Sequence, residues 1–337
     1  MVPRLLPLHR QVIVITGATS GIGLATARLA AKRGARLVLV ARGAAALLEL
    51  VTEIRAGGGR ATGIVGNVTA EEDLERAAAE AIRTFGRIDT WVNNAAVSVY
   101  GGCLDVSTVH LHRVMDTNLW GTINGSRVAC RHLARQGGAL INIGSVLSDR
   151  AVPLQGVYSA SKHAIKAWTD TLRTQLEARG APVSVTLIKP GPIDTPYAEH
   201  AEHYFDEQQQ HLPPVYTPRS VARAILHAAT RPVRTIYVGS TAYLLALANR
   251  ISPSATDLFM THVFIRATGS GRPRRGRPIL DGPDNVLSER GDYPGLTHAS
   301  LYTLAVTHPL LTSIAAFGAG LAATAWWRGR QGREFGL

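Results

Sequence analysis

Tyr158 and Lys162 stand four residues apart in YSASKHAIKAW (158–168), a stretch whose pattern predicts a helix. Residues i and i+4 share one helical face, so the phenol and the ammonium would be neighbours. A cation beside a phenol favours the phenolate, which lowers the tyrosine pKa and makes a usable proton donor near neutral pH. Such pairs also arise by chance in many helices, so the meaning of this one depends on its surroundings.

A second stretch supplies a candidate binding loop. TGATSGIG (16–23) follows an apolar run and opens a helix-like segment. Gly17, Gly21 and Gly23, with Thr19, Ser20 and Ile22 among them, would let the backbone turn tightly and approach a pyrophosphate. A helix N-terminus behind such a loop offers unpaired N–H groups and a favourable dipole. The spacing is G-x-x-x-G-x-G, not the commoner G-x-G-x-x-G. The second apolar run ends in LVAR, which puts Arg42 where an NAD site carries an acid for the ribose 2′-hydroxyl. Arginine matches a 2′-phosphate bidentately, so the expected cofactor is NADP(H), preferred over NAD(H).

Positioning these groups falls to a repeated alternation of short apolar runs and helix-like segments. The runs at 11–17, 35–42, 61–68, 89–96, 139–145, 183–191 and 235–240 are continuously apolar, as in strands buried on both faces. Helical stretches such as 22–34 and 71–86 lie between them. The expected architecture is α/β, a Rossmann-like doubly wound parallel sheet with right-handed crossovers. After about residue 245 the pattern changes, and three regions are expected: a catalytic domain over 1–245, an extension over 246–300 and an apolar C-terminal helix with a basic tail over 301–337. Within the extension, 266–300 is rich in Gly, Pro and Arg and reads as a mobile linker.

With the glycine loop, NNAA (93–96) after the fourth run, Ser145 after the fifth and YSASK in place, residues 9–240 resemble the classical short-chain dehydrogenase/reductase family. The resemblance implies a proton-donating role for Tyr158 at a carbonyl oxygen. It implies that Lys162 lowers the tyrosine pKa and holds the nicotinamide ribose. It further implies that Ser145 hydrogen-bonds the substrate oxygen and that Asn118, in MDTNLWG, anchors a water behind the lysine. Asn93 would contact the adenosine side and steady the central strands, and Ala95 would also bind the cofactor. Asn67 and Val68 would flank the adenine. Pro190 and Gly191 of PGPIDT would bind the cofactor, and Ile193 and Thr195 of the same loop would meet the nicotinamide carboxamide. Two positions depart from the family pattern: Asn67 stands where an acid is usual, and Ala96 where glycine is commoner. Family members commonly pair through helices, here within 105–135 and 155–178, so a homo-oligomer is expected.

Val146, Leu147, Val152 and Leu154 follow the serine with few charges around them, and point to a small apolar carbonyl or alcohol as substrate. The segment 196–216 reads as a mobile lid. Its His200, His203 and His211 read as solvated lid residues, and no metal is expected. Cys103 and Cys130 are too few for a disulfide framework and read as small buried hydrophobes in a reducing compartment.

The net charge of +12 raises nucleic acid as a partner, yet only four of the 36 basic residues are lysine, and the one dense cluster, RPRRGRP (272–278), has no interleaved aromatics. Base stacking needs such aromatics, so nucleic acid is not an expected partner. The N-terminus MVPRLLPLHR lacks a signal-peptide pattern, and the expected location is cytoplasmic. The uncharged stretch 310–327 ends in Trp326 and Trp327 and is followed by Arg328, Arg330 and Arg333. It reads two ways, as a membrane-contacting helix or as one buried against protein. The function expected is a hydride-transferring oxidoreductase, with a catalytically idle NADP-binding scaffold as the alternative.

Overall fold

The computed structural model describes residues 3–273, 278–280, 282, 285–307 and 312. Seven parallel strands form its central sheet: β1 (Val12–Thr16), β2 (Arg36–Ala41), β3 (Arg60–Val65), β4 (Thr90–Asn93), β5 (Gly138–Ile143), β6 (Val183–Pro190) and β7 (Thr235–Val238). They lie in the order β7-β6-β5-β4-β1-β2-β3 and correspond to the seven apolar runs of the sequence. The order reverses between β1 and β4, and an open sheet of this kind leaves a crevice there beyond the carboxyl ends of its strands.

Side chains alternate between the two faces of each strand. Ile13, Ile15, Leu37 and Leu39 therefore join the core on one side of the sheet. Val12, Val14, Val38 and Val40 join the other, together with Trp91 and Leu140. The crossover helices are α1 (Gly21–Lys32), α2 (Ala44–Ala56) and α3 (Glu71–Phe85) in the first half, then α4 (Thr108–Met115), α5 (Gly121–Gln136) and α6 (Gly156–Ala178). Local chemistry bounds them. Glu71, Glu72 and Asp73 fill the first turn of α3, where the helix dipole favours acids, and Gly86 closes it in the left-handed conformation at φ 80°.

Beyond β6, α7 (Pro218–Ala228) packs on α1, and α8 (Ser240–Ile251) and α9 (Pro253–Phe259) continue into a π-helical turn, Met260–Phe264. The expected boundary at residue 245 falls inside α8, so the catalytic domain and its extension share a helix. A polar anchor fixes this helical arm to the loop after β5. Lys189 and Lys166 pair with Asp149, the Tyr237 hydroxyl donates to the same carboxylate at 2.8 Å, and the Asn249 amide donates to the Asp149 carbonyl at 3.1 Å. Burial works to raise the Asp149 pKa, but these donors outweigh it and hold the carboxyl below its ordinary value.

The described part of 266–300 does not run free of the domain, as a mobile linker would. Gly269–Pro273 pairs antiparallel with Glu207–Gln209, and Thr297–His298 pairs with Val215–Tyr216. Between them, the Ser288 carbonyl accepts the Gly21 N–H at 2.8 Å, and Arg290 reaches the buried Asp194 carboxylate at 2.6 Å. Composition concealed this, because the partners of the extension are backbone groups and single charges in distant loops. Among the described residues, no helix is long and apolar enough to cross a membrane. The stretch 310–327 lies outside the described residues apart from Thr312.

Candidate active site

The loops at the carboxyl ends of the strands enclose one large cavity of about 880 Å³, within the range for small-molecule and cofactor sites. One arm of it runs along the glycine loop. Gly17 and Gly21 both hold positive φ, 63° and 49°, which a residue with a Cβ would adopt only under strain. A Cβ on Gly17 would lie 2.8 Å from the Ala95 Cα, and one on Gly23 only 2.0 Å from the Gly17 carbonyl oxygen. Gly17, Thr19, Ser20, Gly21 and Ile22 line the cavity, while Gly23 serves the close packing of α1 on the loop behind them.

Arg42, Asn67, Val68, Ala95, Pro190, Gly191, Ile193 and Thr195 also line the cavity. The Arg42 Nη2 donates to the Ile279 and Gly282 carbonyls, so the extension crosses this arm at the end of β2. Ile279 and Val286 of the extension face the same arm. Asn93 steadies the central strands as expected but does not line the cavity. Its amide is buried under the sheet, where Oδ1 accepts the Trp91 indole N–H at 2.8 Å and Nδ2 donates to Asn142 at 2.9 Å. It ties strands together and does not reach the cavity. The residue that does is Asn94, whose Nδ2 donates to the Thr16 and Gly17 carbonyls at 3.0 and 3.1 Å and braces the glycine loop.

The second arm meets the first at Ser145, Tyr158 and Lys162, all three of which line the cavity. Ser145 ends the loop from β5, and its Oγ accepts the Leu147 N–H at 3.1 Å. Tyr158 lies in the first turn of α6, with Lys162 one turn on. The Lys162 Nζ donates to the Ile143 carbonyl at 2.9 Å and sits 5.4 Å from the centre of the Tyr158 ring. Asn118 occupies a π-helical turn, Asp116–Trp120, a distortion that often marks functional sites. Its amide is spent internally, accepting the Val97 N–H at 2.8 Å and donating to the Val97 carbonyl and to Ser161 at 3.0 and 3.1 Å. Ser161 is a neighbour of Lys162 in α6, so Asn118 buttresses the lysine from behind.

Burial dominates the electrostatics here. It pushes the Tyr158 phenol up to about 12, against hydrogen bonds from Tyr197 and Ser145 that act to lower it. It also brings the Lys162 ammonium down to about 7. The attraction between the two groups, expected from their spacing, is opposed by the desolvation of both.

The substrate-facing arm is apolar. Val146, Leu147, Val152 and Leu154 line it as expected, joined by Leu244, Leu245, Phe259 and Met260 from the helical arm. Leu154 holds a left-handed φ of 64°, a conformation costly for leucine. A polar cluster missed in the sequence stands beside Tyr158. The Tyr197 ring lies 5.3 Å from the Tyr158 ring at 66°. Its hydroxyl accepts from Gln155 at 2.6 Å and donates to Ser98 at 2.7 Å. The signal available was an aromatic two residues after Thr195, at the point where the chain leaves the cofactor loop.

The lid histidines are less solvated than expected, with His200 and His211 half-buried at the cavity. His203 is buried and stacks on Tyr100 at 5.0 Å, and His211 stacks on Tyr197 at 6.0 Å with its pKa lowered to about 4 by burial. Among the described residues, no three His, Cys, Asp or Glu are grouped to hold a metal ion. Cys103 is exposed, and Cys130 is half-buried with its thiol raised to about 11, so neither is the fully buried hydrophobe expected.

The cleft fits a dinucleotide on its own geometry. Gly17 and Gly21, both with positive φ, line the arm at the start of a helix, where the Gly21 N–H now donates to the Ser288 carbonyl at 2.8 Å. A family model described as short chain dehydrogenase matches residues 11–204. The chain is 45% identical over 328 residues to the uncharacterized oxidoreductase YxnA of Bacillus subtilis (strain 168), covering 96% of this chain and 92% of that one. A short-chain dehydrogenase/reductase from Burkholderia phymatum, solved in complex with NAD, matches 74% of this chain and 96% of its own with a TM-score of 0.68 at 25% identity. An alcohol dehydrogenase from the archaeon Thermococcus sibiricus, complexed with 5-hydroxy-NADP, matches 67% of this chain and 95% of its own with a TM-score of 0.59 at 26% identity.

Proposed function

The chain belongs to the short-chain dehydrogenase/reductase family, and from that premise we propose that it is an NADP(H)-dependent oxidoreductase interconverting an apolar alcohol and its ketone or aldehyde. The observation that carries this reading is the junction of the two cavity arms. Ser145, Tyr158 and Lys162 stand where a glycine-cradled arm meets one lined by Val146, Leu147, Val152, Leu154 and Leu245. When bound, the nicotinamide supplies the hydride.

The remaining steps belong to this chain. Gly17, Gly21 and the N–H groups at the start of α1 would hold the pyrophosphate, with Arg42 toward the adenosine ribose and Ile193 and Thr195 toward the nicotinamide; Gly21 and Arg42 would exchange their bonds to the Ser288, Ile279 and Gly282 carbonyls for the cofactor. In the reducing direction the Ser145 hydroxyl donates to the carbonyl oxygen and steadies the negative charge that grows there. Tyr158 gives that oxygen its phenolic proton, and Lys162 favours the phenolate left behind. The apolar wall excludes water and admits the hydrocarbon part of the substrate. Support for NADP over NAD is the cation Arg42 at the end of β2, since a guanidinium pairs with a 2′-phosphate and an acid would repel it. Pairing of two copies through helices α4 to α6 is the oligomeric arrangement in keeping with this reading.

The test is oxidation of NADPH, with NADH in parallel, against a panel of apolar ketones and aldehydes. Turnover with NADPH preferred at least tenfold is expected, and Arg42→Asp should erase that preference. Cofactor binding without turnover of any apolar carbonyl would favour the idle scaffold.

A further inference from the structure

The helical arm beside the substrate cavity turns its apolar side outward. On α8, Leu244, Leu247 and Ile251 are 58%, 38% and 74% exposed and fall at i, i+3 and i+7, one face of the helix. Leu258 and Phe259 on α9 are 62% and 45% exposed, and Val263 in the following turn is 48% exposed. An amphipathic helix on a water-soluble protein places this stripe against the core. Here the inward attachments are polar: Asn249 binds Arg150 and the Asp149 carbonyl, and Asp257 pairs with Arg150 at 2.6 Å. Leu244, Ile251 and Phe259 also line the substrate arm, so the two stripes are banks of a single mouth. Scattered surface leucines need no explanation, whereas a contiguous set around a cavity mouth marks a contact surface.

We propose that this face, α8 through Val263, docks on an anionic phospholipid bilayer and opens the substrate arm toward the membrane. The proposal rests on the substrate arm assigned above and specifies where its apolar substrate comes from. Charge identifies the occupant. Within Ser240–Pro273 the exposed charges are Arg250, Arg266 and Arg272, and the one acid, Asp257, is already paired with Arg150. Apolar side chains rimmed by arginine suit the boundary between headgroups and acyl chains. A second copy of the chain suits the face less well. A twofold pairing would bring the same arginines toward one another and would seal the mouth through which substrate passes. An apolar carbonyl concentrated in the acyl region would instead reach Tyr158 without crossing water.

The full-length protein would be sedimented with vesicles of 70:30 phosphatidylcholine and phosphatidylglycerol, and with phosphatidylcholine alone. Leu258 and Val263 do not line the cavity, so the double variant Leu258→Asp/Val263→Asp should leave NADPH turnover of a water-soluble ketone intact. It is expected to cut partition onto the mixed vesicles at least tenfold. Arg250→Gln/Arg266→Gln should weaken binding to the mixed vesicles and not to phosphatidylcholine. Circular dichroism would verify folding, with Leu258→Ser/Val263→Ser as the milder pair should the aspartates unfold the arm. Partition of both apolar variants equal to wild type would overturn the proposal. So would a wild-type dimer, seen by light scattering, that these substitutions dissociate without any change in vesicle binding. Vesicle binding lost in the variants while no carbonyl is ever reduced would count against the assigned reaction and leave the docking surface standing.

Discussion

At the residue scale the candidate site joins a phenol, an ammonium and a hydroxyl, held by two elements. Tyr158 and Lys162 share a face of α6, and Ser145 comes from the end of β5. Burial sets the conditions for their work. With the Lys162 ammonium lowered from 10.5 to about 7, the cation is present below that pH and lost above it. The phenol stays protonated across the same range, since its own pKa lies near 12. Reduction therefore needs the lysine charged and should fall as pH rises through about 7, in kcat/KM for a carbonyl substrate. Lys162→Arg keeps a cation at every working pH and should flatten that limb, with a rate cost from the altered geometry. A profile flat from pH 6 to 9 in the wild type would contradict the assignment. Tyr197 and Asn94 escaped the sequence reading for a physical reason: their significance comes from partners distant in sequence, Ser98 and Gln155 for one and the glycine loop for the other.

At the element scale the sheet was legible because its strands are buried on both faces. A strand such as β1, VIVIT, has every residue buried and so reads as an unbroken apolar run. The glycine loop was legible because its conformation demands glycine at positions 17 and 21. The extension was not, since no periodicity announces a chain that binds through isolated contacts. Its pairing of Arg290 with Asp194 is the clearest example. The Asp194 side chain is fully buried, sits between Ile193 and Thr195 in the cofactor loop, and takes Arg290 at 2.6 Å and the Gly291 N–H at 3.2 Å. Removing the guanidinium leaves a buried carboxylate short of a partner, which costs about 1 to 3 kcal/mol. Arg290→Ala should lower the unfolding free energy by that amount in urea and loosen NADPH binding, measured by the fluorescence of the bound cofactor. Unchanged stability and unchanged affinity would mean the extension does not brace the loop.

At the scale of the whole molecule, one cavity connects three sets of residues that the chain distributes over its length. The N-terminal half supplies the glycine loop, the middle supplies Ser145, Tyr158 and Lys162, and the helical arm after β7 supplies apolar side chains. The Asp149 cluster ties the last of these to the loop that carries Ser145, so the wall and the reacting groups keep a fixed relation. The relationship to YxnA spans nearly the full chain, and the extension is therefore shared with that protein and not an appendage peculiar to this one. The seven apolar runs let the fold be read in advance, and most of the motif residues between them line one cavity. The outer wall and the extension contacts depend on packing between distant segments and became visible only in three dimensions.

The proposed reaction stands or falls on Tyr158 delivering the proton during nicotinamide-dependent carbonyl reduction. Its most direct measurement compares wild type with Tyr158→Phe, following NADPH oxidation with an apolar ketone and, separately, NADPH binding by fluorescence. The phenylalanine keeps the ring and removes only the hydroxyl. Loss of a positioned acid should lower kcat by about 10²- to 10⁴-fold, with the NADPH dissociation constant unchanged. Turnover by Tyr158→Phe equal to wild type would contradict the account.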